Sequence, residues 1–126
     1  MRIFVAGNKL YDQDNLPLKI MPRLKMEFPE IEFAELDPTE NLPSGELIVI
    51  DTVKGIKGVK TFADMSSFSS NKLFSPHDYD LMFELQLNKK LGRLKKFVII
   101  GVSSDIDEKE AFERVRNEIA KIEEKD

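Results

Sequence analysis

The 126 residues are 41% hydrophobic and 33% charged, a balance that suits one compact domain spanning 1–126 around a single core. A net charge of -4 leaves no basic footprint for nucleic acid or for an anionic membrane. The absence of cysteine excludes disulfides, thiolate metal ligation and a cysteine nucleophile.

The N-terminal run Arg2 to Ala6 is too short for a signal-peptide core, and no later stretch approaches the roughly 18 consecutive apolar residues of a membrane span. A cytoplasmic protein without membrane insertion is therefore expected. The lack of Cys and Trp beside many Lys and Glu also fits a thermophile.

Ile3 to Ala6, closed by Gly7-Asn8, has the pattern of a strand buried on both faces. Leu16-Pro17 can open a helix carrying Leu18, Met21 and Leu24, with Pro17 in the first turn where a missing N–H costs nothing. Pro22 lies deeper, so the sequence predicts a kink there or a helix that begins only near Leu18 or Pro22. Phe28-Pro29 stops the helix, and Ile31 to Leu36 alternates as a half-exposed strand does. Leu47 to Ile50, ended by Asp51, reads as a central parallel strand, and Val59 to Phe62 as a weaker strand at an edge.

Met65 to Phe74 mixes serines with Phe68 and Phe74 in neither period and reads as a mobile loop. Ser75-Pro76 supplies an N-cap and first-turn proline for a helix ended by Gly92, which puts His77 in its first turn. Phe97 to Ile100 is the last buried strand. Asp107 and Glu110 then form a capping box for a helix whose Phe112, Val115, Ile119 and Ile122 make one stripe. This alternation predicts an α/β three-layer sandwich, a mostly parallel twisted sheet with helices on both faces. Such sheets bind ligands beyond the C-terminal ends of their strands, where Asp14 and Asp51 both fall.

Asp14 and Asp51 offer hard oxygens and His77, the only histidine, offers a borderline nitrogen, a set suited to a divalent transition metal. Taken singly, each has a plainer reading. Asp51 also suits a cap on the next turn, Asp14 an acid near a helix start with Asp12 as its rival, and His77 a hydrogen-bonded structural histidine. Together they leave coordination positions for water or a substrate group. There is no Gly-x-Ser-x-Gly elbow for a serine hydrolase, and Gly7-Asn8 lacks the further glycines of a dinucleotide-binding turn.

Gly7-Asn8-Lys9-Leu10 followed by Asp14, then Ile50-Asp51, then Ser75-Pro76-His77, and finally Phe97 to Val102, resemble the motifs of the hydrogenase maturation endopeptidases. That resemblance covers most of the chain. It implies a metal-dependent protease that removes the C-terminal extension of a nickel-iron hydrogenase large-subunit precursor. It also implies that Asp14, Asp51 and His77 are the catalytic, metal-contacting residues. The metal it implies is the nickel already installed in the precursor, with other divalent metals able to bind the isolated protein.

Where the family has two adjacent acids followed by Gly-x-Gly, this chain has Gln13-Asp14-Asn15-Leu16-Pro17, and it is shorter over 52–75. Such departures suit a divergent member serving another hydrogenase type, such as an archaeal one. Two other classes compete. One is a non-catalytic module of the same fold that binds a metalloprotein without cutting it. The other is a response-regulator-like signalling domain with Asp51 as phosphoacceptor, which lacks an acid pair after the first strand and a lysine after the last.

Overall fold

The computed structural model describes residues 1–7, 15–36, 45–53, 56–62, 91–92 and 94–125. Five strands form one sheet in the order β2-β1-β3-β5-β4: β1 (Arg2–Val5), β2 (Glu32–Glu35), β3 (Gly45–Thr52), β4 (Val59–Phe62) and β5 (Leu94–Val102). All neighbouring pairs are parallel except β4 with β5. Two helices are described, α1 (Leu16–Glu27) and α2 (Glu108–Lys125). The α/β class and the mostly parallel sheet are thus as the aliphatic runs predict. The expected loop at Met65 to Phe74 and the expected helix carrying His77 lie outside the described residues.

Strand alternation divides the core in two. Ile3, Val5, Ile50, Ile100 and Val102 face α1 and α2, which pack together over them through Ile20, Leu24, Val115 and Ile119. Phe4, Leu47, Val49, Phe97 and Ile99 form a second buried cluster with Val53 and Phe62. The long side of β3 pairs with β5 from Gly45 to Thr52, so both strands extend further than their aliphatic runs suggest. Lys96 interrupts the apolar pattern yet still pairs, because a ladder needs only backbone donors and acceptors.

β4 runs antiparallel because only residues 53–58 separate it from β3, whereas a parallel return needs a crossover of a dozen residues or more. Gly58 makes the turn at φ 68, a backbone state that only glycine adopts without strain. This order also differs from the all-parallel 2-1-3-4-5 sheet of response-regulator domains.

α1 starts at Leu16 and runs through Pro22, contrary to the expected late start. Pro22 is exposed, so water can satisfy the carbonyl one turn back that the proline ring leaves without a donor. At the start of α2, the Glu110 N–H donates to Asp107 Oδ1 over 2.7 Å, the cap the sequence predicts. No helix among the described residues is long and apolar enough to cross a membrane.

Candidate functional site

The chain leaves β1 for β2 on one side, while β3 lies on β1's other side, so the strand order reverses between β1 and β3. In an open α/β sheet that reversal leaves a crevice at the C-terminal edge, the usual ligand position. The Ala6 N–H donates to the Ile50 carbonyl over 2.8 Å, which carries the β1–β3 pairing to the end of the strands. Asp51 is the next residue of β3. Its side chain is only 3% exposed, and the Thr52 N–H donates to its Oδ1 over 2.8 Å. By alternation Asp51 shares the face of Leu47, Val49 and Val53, opposite the one covered by α1 and α2.

The neighbouring strand ends gather at the same edge. Val53 N–H donates to the Val102 carbonyl over 3.0 Å, Ser103 N–H to the Gly58 carbonyl over 2.8 Å, and Asp105 N–H to Ser103 Oγ over 3.2 Å. Asn15, which precedes α1, makes no side-chain cap bond, and its Oδ1 is buried without a hydrogen-bond partner among the described residues. Thr52 Oγ1, on the α1 side of β3, is likewise buried and has no partner among them. The edge therefore concentrates polar groups at the ends of apolar strands.

This arrangement has a counterpart among solved structures. The structure superposes on the hydrogenase maturating endopeptidase HybD from E. coli with a TM-score of 0.61, covering 96% of this chain and 93% of that one at 20% identity. The chain shares its fold with HybD. An endopeptidase from Escherichia coli known from a solution structure matches with a TM-score of 0.54 at 22% identity, over 82% of this chain and 74% of that one. An uncharacterized protein from Wolinella succinogenes matches with a TM-score of 0.56 at 12% identity, over 96% and 97%. No family model matches the sequence, and no curated protein matches it. The likeness to HybD is therefore a likeness of fold.

Of the three residues that the sequence assigns to metal contact, Asp51 lies at the C-terminal edge of the sheet where the strand order reverses, and Asp14 and His77 lie outside the described residues. Among the described residues no three His, Cys, Asp or Glu side chains are grouped to hold a metal. The donor chemistry of Asp51 fits a divalent metal: a hard oxygen donor on a rigid strand end, oriented by a backbone N–H.

Gly101 belongs to the Phe97 to Val102 motif, but sequence spacing does not show its place beside Asp51. It pairs in register with Asp51, and a Cβ there would lie 2.8 Å from Val53 Cγ2 and 3.1 Å from Phe62 Cε2. Only a side chain of one hydrogen lets β3, β4 and β5 close this tightly. Gly101→Ala is expected to destabilise the protein by about 1–3 kcal/mol through overpacking, read from urea unfolding midpoints. A stability equal to wild type would show that Val53 and Phe62 yield freely.

Proposed function

We propose that this protein, acting as one cytoplasmic domain, is an endopeptidase that removes the C-terminal extension of a nickel-loaded hydrogenase large-subunit precursor. The observation that supports it best is a buried carboxylate, Asp51, at the crevice of a sheet shared with a hydrogenase maturating endopeptidase. Asp51, Asp14 and His77 would together contact the precursor's nickel, and in the isolated protein another divalent metal could take that place. Two carboxylates and one imidazole leave nickel with open positions.

Held there by these residues, nickel would supply Lewis-acid polarisation at the scissile carbonyl. Asp51 stays fixed by the Thr52 N–H, so it orients the loaded precursor without reorganising during the reaction. Water adds to the scissile carbonyl, the peptide C–N bond breaks, and the leaving amine takes a proton. A carboxylate oxygen left free of nickel would take the water's proton.

The test is incubation with large-subunit precursor prepared with and without nickel, followed by intact-mass spectrometry. Loss of the C-terminal extension from the loaded precursor alone is expected. Stable binding without cleavage would instead assign the chain to a non-catalytic module, and equal cleavage of nickel-free precursor would remove nickel from the account.

A second expectation concerns pH. Imidazole must be neutral to donate its lone pair, so protons compete with metal for His77. An ordinary histidine titrates near about pH 6.5, so divalent-metal affinity should fall as the pH drops below roughly that value. Titration calorimetry at several pH values checks this, and a pH-independent affinity, or one unchanged in His77→Ala, would contradict the assignment.

A further inference from the structure

The face of the molecule opposite Asp51 carries an arrangement that the proposed protease chemistry does not use. Phe112 of α2 is only 8% exposed, beneath two guanidinium groups: Arg23 of α1 lies 4.3 Å from the ring centroid and Arg116, one turn further along α2, lies 5.7 Å away. Stacking of this kind uses the flat face of a guanidinium and leaves its N–H donors at the rim, in the plane that receives a carboxylate. Neither group has a carboxylate within ion-pair distance among the described residues. The described pairs join Arg2 to Glu32, Arg114 to Glu110 and Lys121 to Glu118.

The surroundings reinforce the imbalance. α1 holds Lys19, Arg23 and Lys25 against a single acid, Glu27 at its last position, although acids outnumber bases in the chain as a whole. Lys19 is exposed one turn before Arg23, and Met26, three residues after it, is 84% exposed. Basic side chains further round α2, Arg114 and Lys121, are neutralised by their own helix. A strip with a net basic excess and a soft apolar residue at its end thus runs along α1 to the adjoining side of α2.

We propose that this surface docks an acidic segment of a partner protein, with carboxylates received by Arg23 and Arg116 and an apolar side chain of the segment resting on Met26. Charge complementarity selects a carboxylate-bearing partner, and two stacked, planar donors match carboxylate geometry better than mobile lysines do. A polypeptide segment is favoured over nucleic acid because the strip is short, so no extended basic field follows a phosphate backbone. Methionine at such a surface adapts to varied apolar side chains. Lying on the helical face, the surface is separate from the crevice at Asp51 and does not depend on metal contact there.

The experiment uses a fluorescein-labelled ten-residue peptide rich in Asp and Glu with one central Leu, titrated with the full chain and followed by anisotropy. Binding that weakens as salt rises is expected, because the contacts are exposed charges. Arg23→Gln/Arg116→Gln, which keeps apolar stems over Phe112, should weaken binding by at least about tenfold, and Arg23→Lys/Arg116→Lys should fall between it and wild type. Lys57→Ala, which removes an exposed charge elsewhere, should bind as wild type does. The proposal fails if the peptide does not bind, if Lys57→Ala weakens binding as much as the glutamine pair, or if a single-stranded ten-nucleotide DNA binds as tightly. It also fails if the surface serves a second copy of the chain, seen as a dimer in light scattering that the glutamine pair dissolves.

Discussion

Asp51→Asn is expected to abolish processing of the nickel-loaded precursor while leaving the fold in place. The asparagine Oδ1 can still accept the Thr52 N–H that Asp51 Oδ1 now receives at 2.8 Å, so the end of β3 keeps its local geometry. What disappears is the negative charge, and with it a hard anionic donor. Loss of a residue that merely supports a metal ligand costs roughly 10–100-fold, so loss of a ligand itself should lower the cleavage rate by at least about a hundredfold. The same variant should show a thermal midpoint close to wild type. A folded Asp51→Asn protein that cleaves at the wild-type rate would remove Asp51 from the chemistry and leave it a turn-capping residue.

Phe97→Ala should cost more stability than Gly101→Ala or Asp51→Asn. The ring is 1% exposed and belongs to the cluster with Leu47, Val49 and Ile99 on the side of the sheet that Asp51 shares. Removing a buried phenylalanine ring forfeits both its transfer free energy and the contacts of the cavity left behind, about 3–5 kcal/mol. For a chain of this size that corresponds to a fall of roughly 10–20 °C in Tm. Met26→Ala, at a position 84% exposed, should shift stability by less than about 0.5 kcal/mol. Calorimetry compares the two directly, and a loss below about 1 kcal/mol for Phe97→Ala would mean that the second core cluster is not closely packed.

The buried strands were legible because a strand covered on both faces needs apolar residues at every position. Ile3 to Val5, Leu47 to Ile50 and Phe97 to Ile100 have that form, and all lie in the sheet. The last helix was legible through its Asp107 cap and its stripe of Phe112, Val115 and Ile119. Pro22 misled because proline disfavours a helix interior by its own geometry, whereas an exposed position with a buried face held by Ile20 and Leu24 tolerates it. The direction of β4 was hidden in a different way. No residue of Val59 to Phe62 encodes parallel or antiparallel pairing, which follows from the short connection at 53–58.

The candidate site was legible to the extent that it sits at the end of a strand. Asp51 terminates an aliphatic run, so its place at the C-terminal edge follows from the run, and the crevice follows from the strand order. What surrounds it depends on cross-strand neighbours that sequence spacing does not show. Gly101 beside Asp51, the buried Thr52 hydroxyl and the link from Ser103 to Gly58 are all products of pairing between segments distant in the chain. The stacking of Arg23 and Arg116 on Phe112 is of the same kind, since it needs α1 and α2 on one face of the sheet.

Asp14, Asp51 and His77 are expected to converge on one metal ion at the C-terminal edge of the sheet. That convergence is tested most directly by crystals soaked in a nickel or zinc salt and recorded at the absorption edge of that metal. One dominant anomalous peak is expected, with oxygens of Asp14 and Asp51 and a ring nitrogen of His77 about 2.0–2.2 Å away when the metal is zinc. A peak held by other residues, or Asp14 and His77 on opposite faces of the sheet, would contradict it.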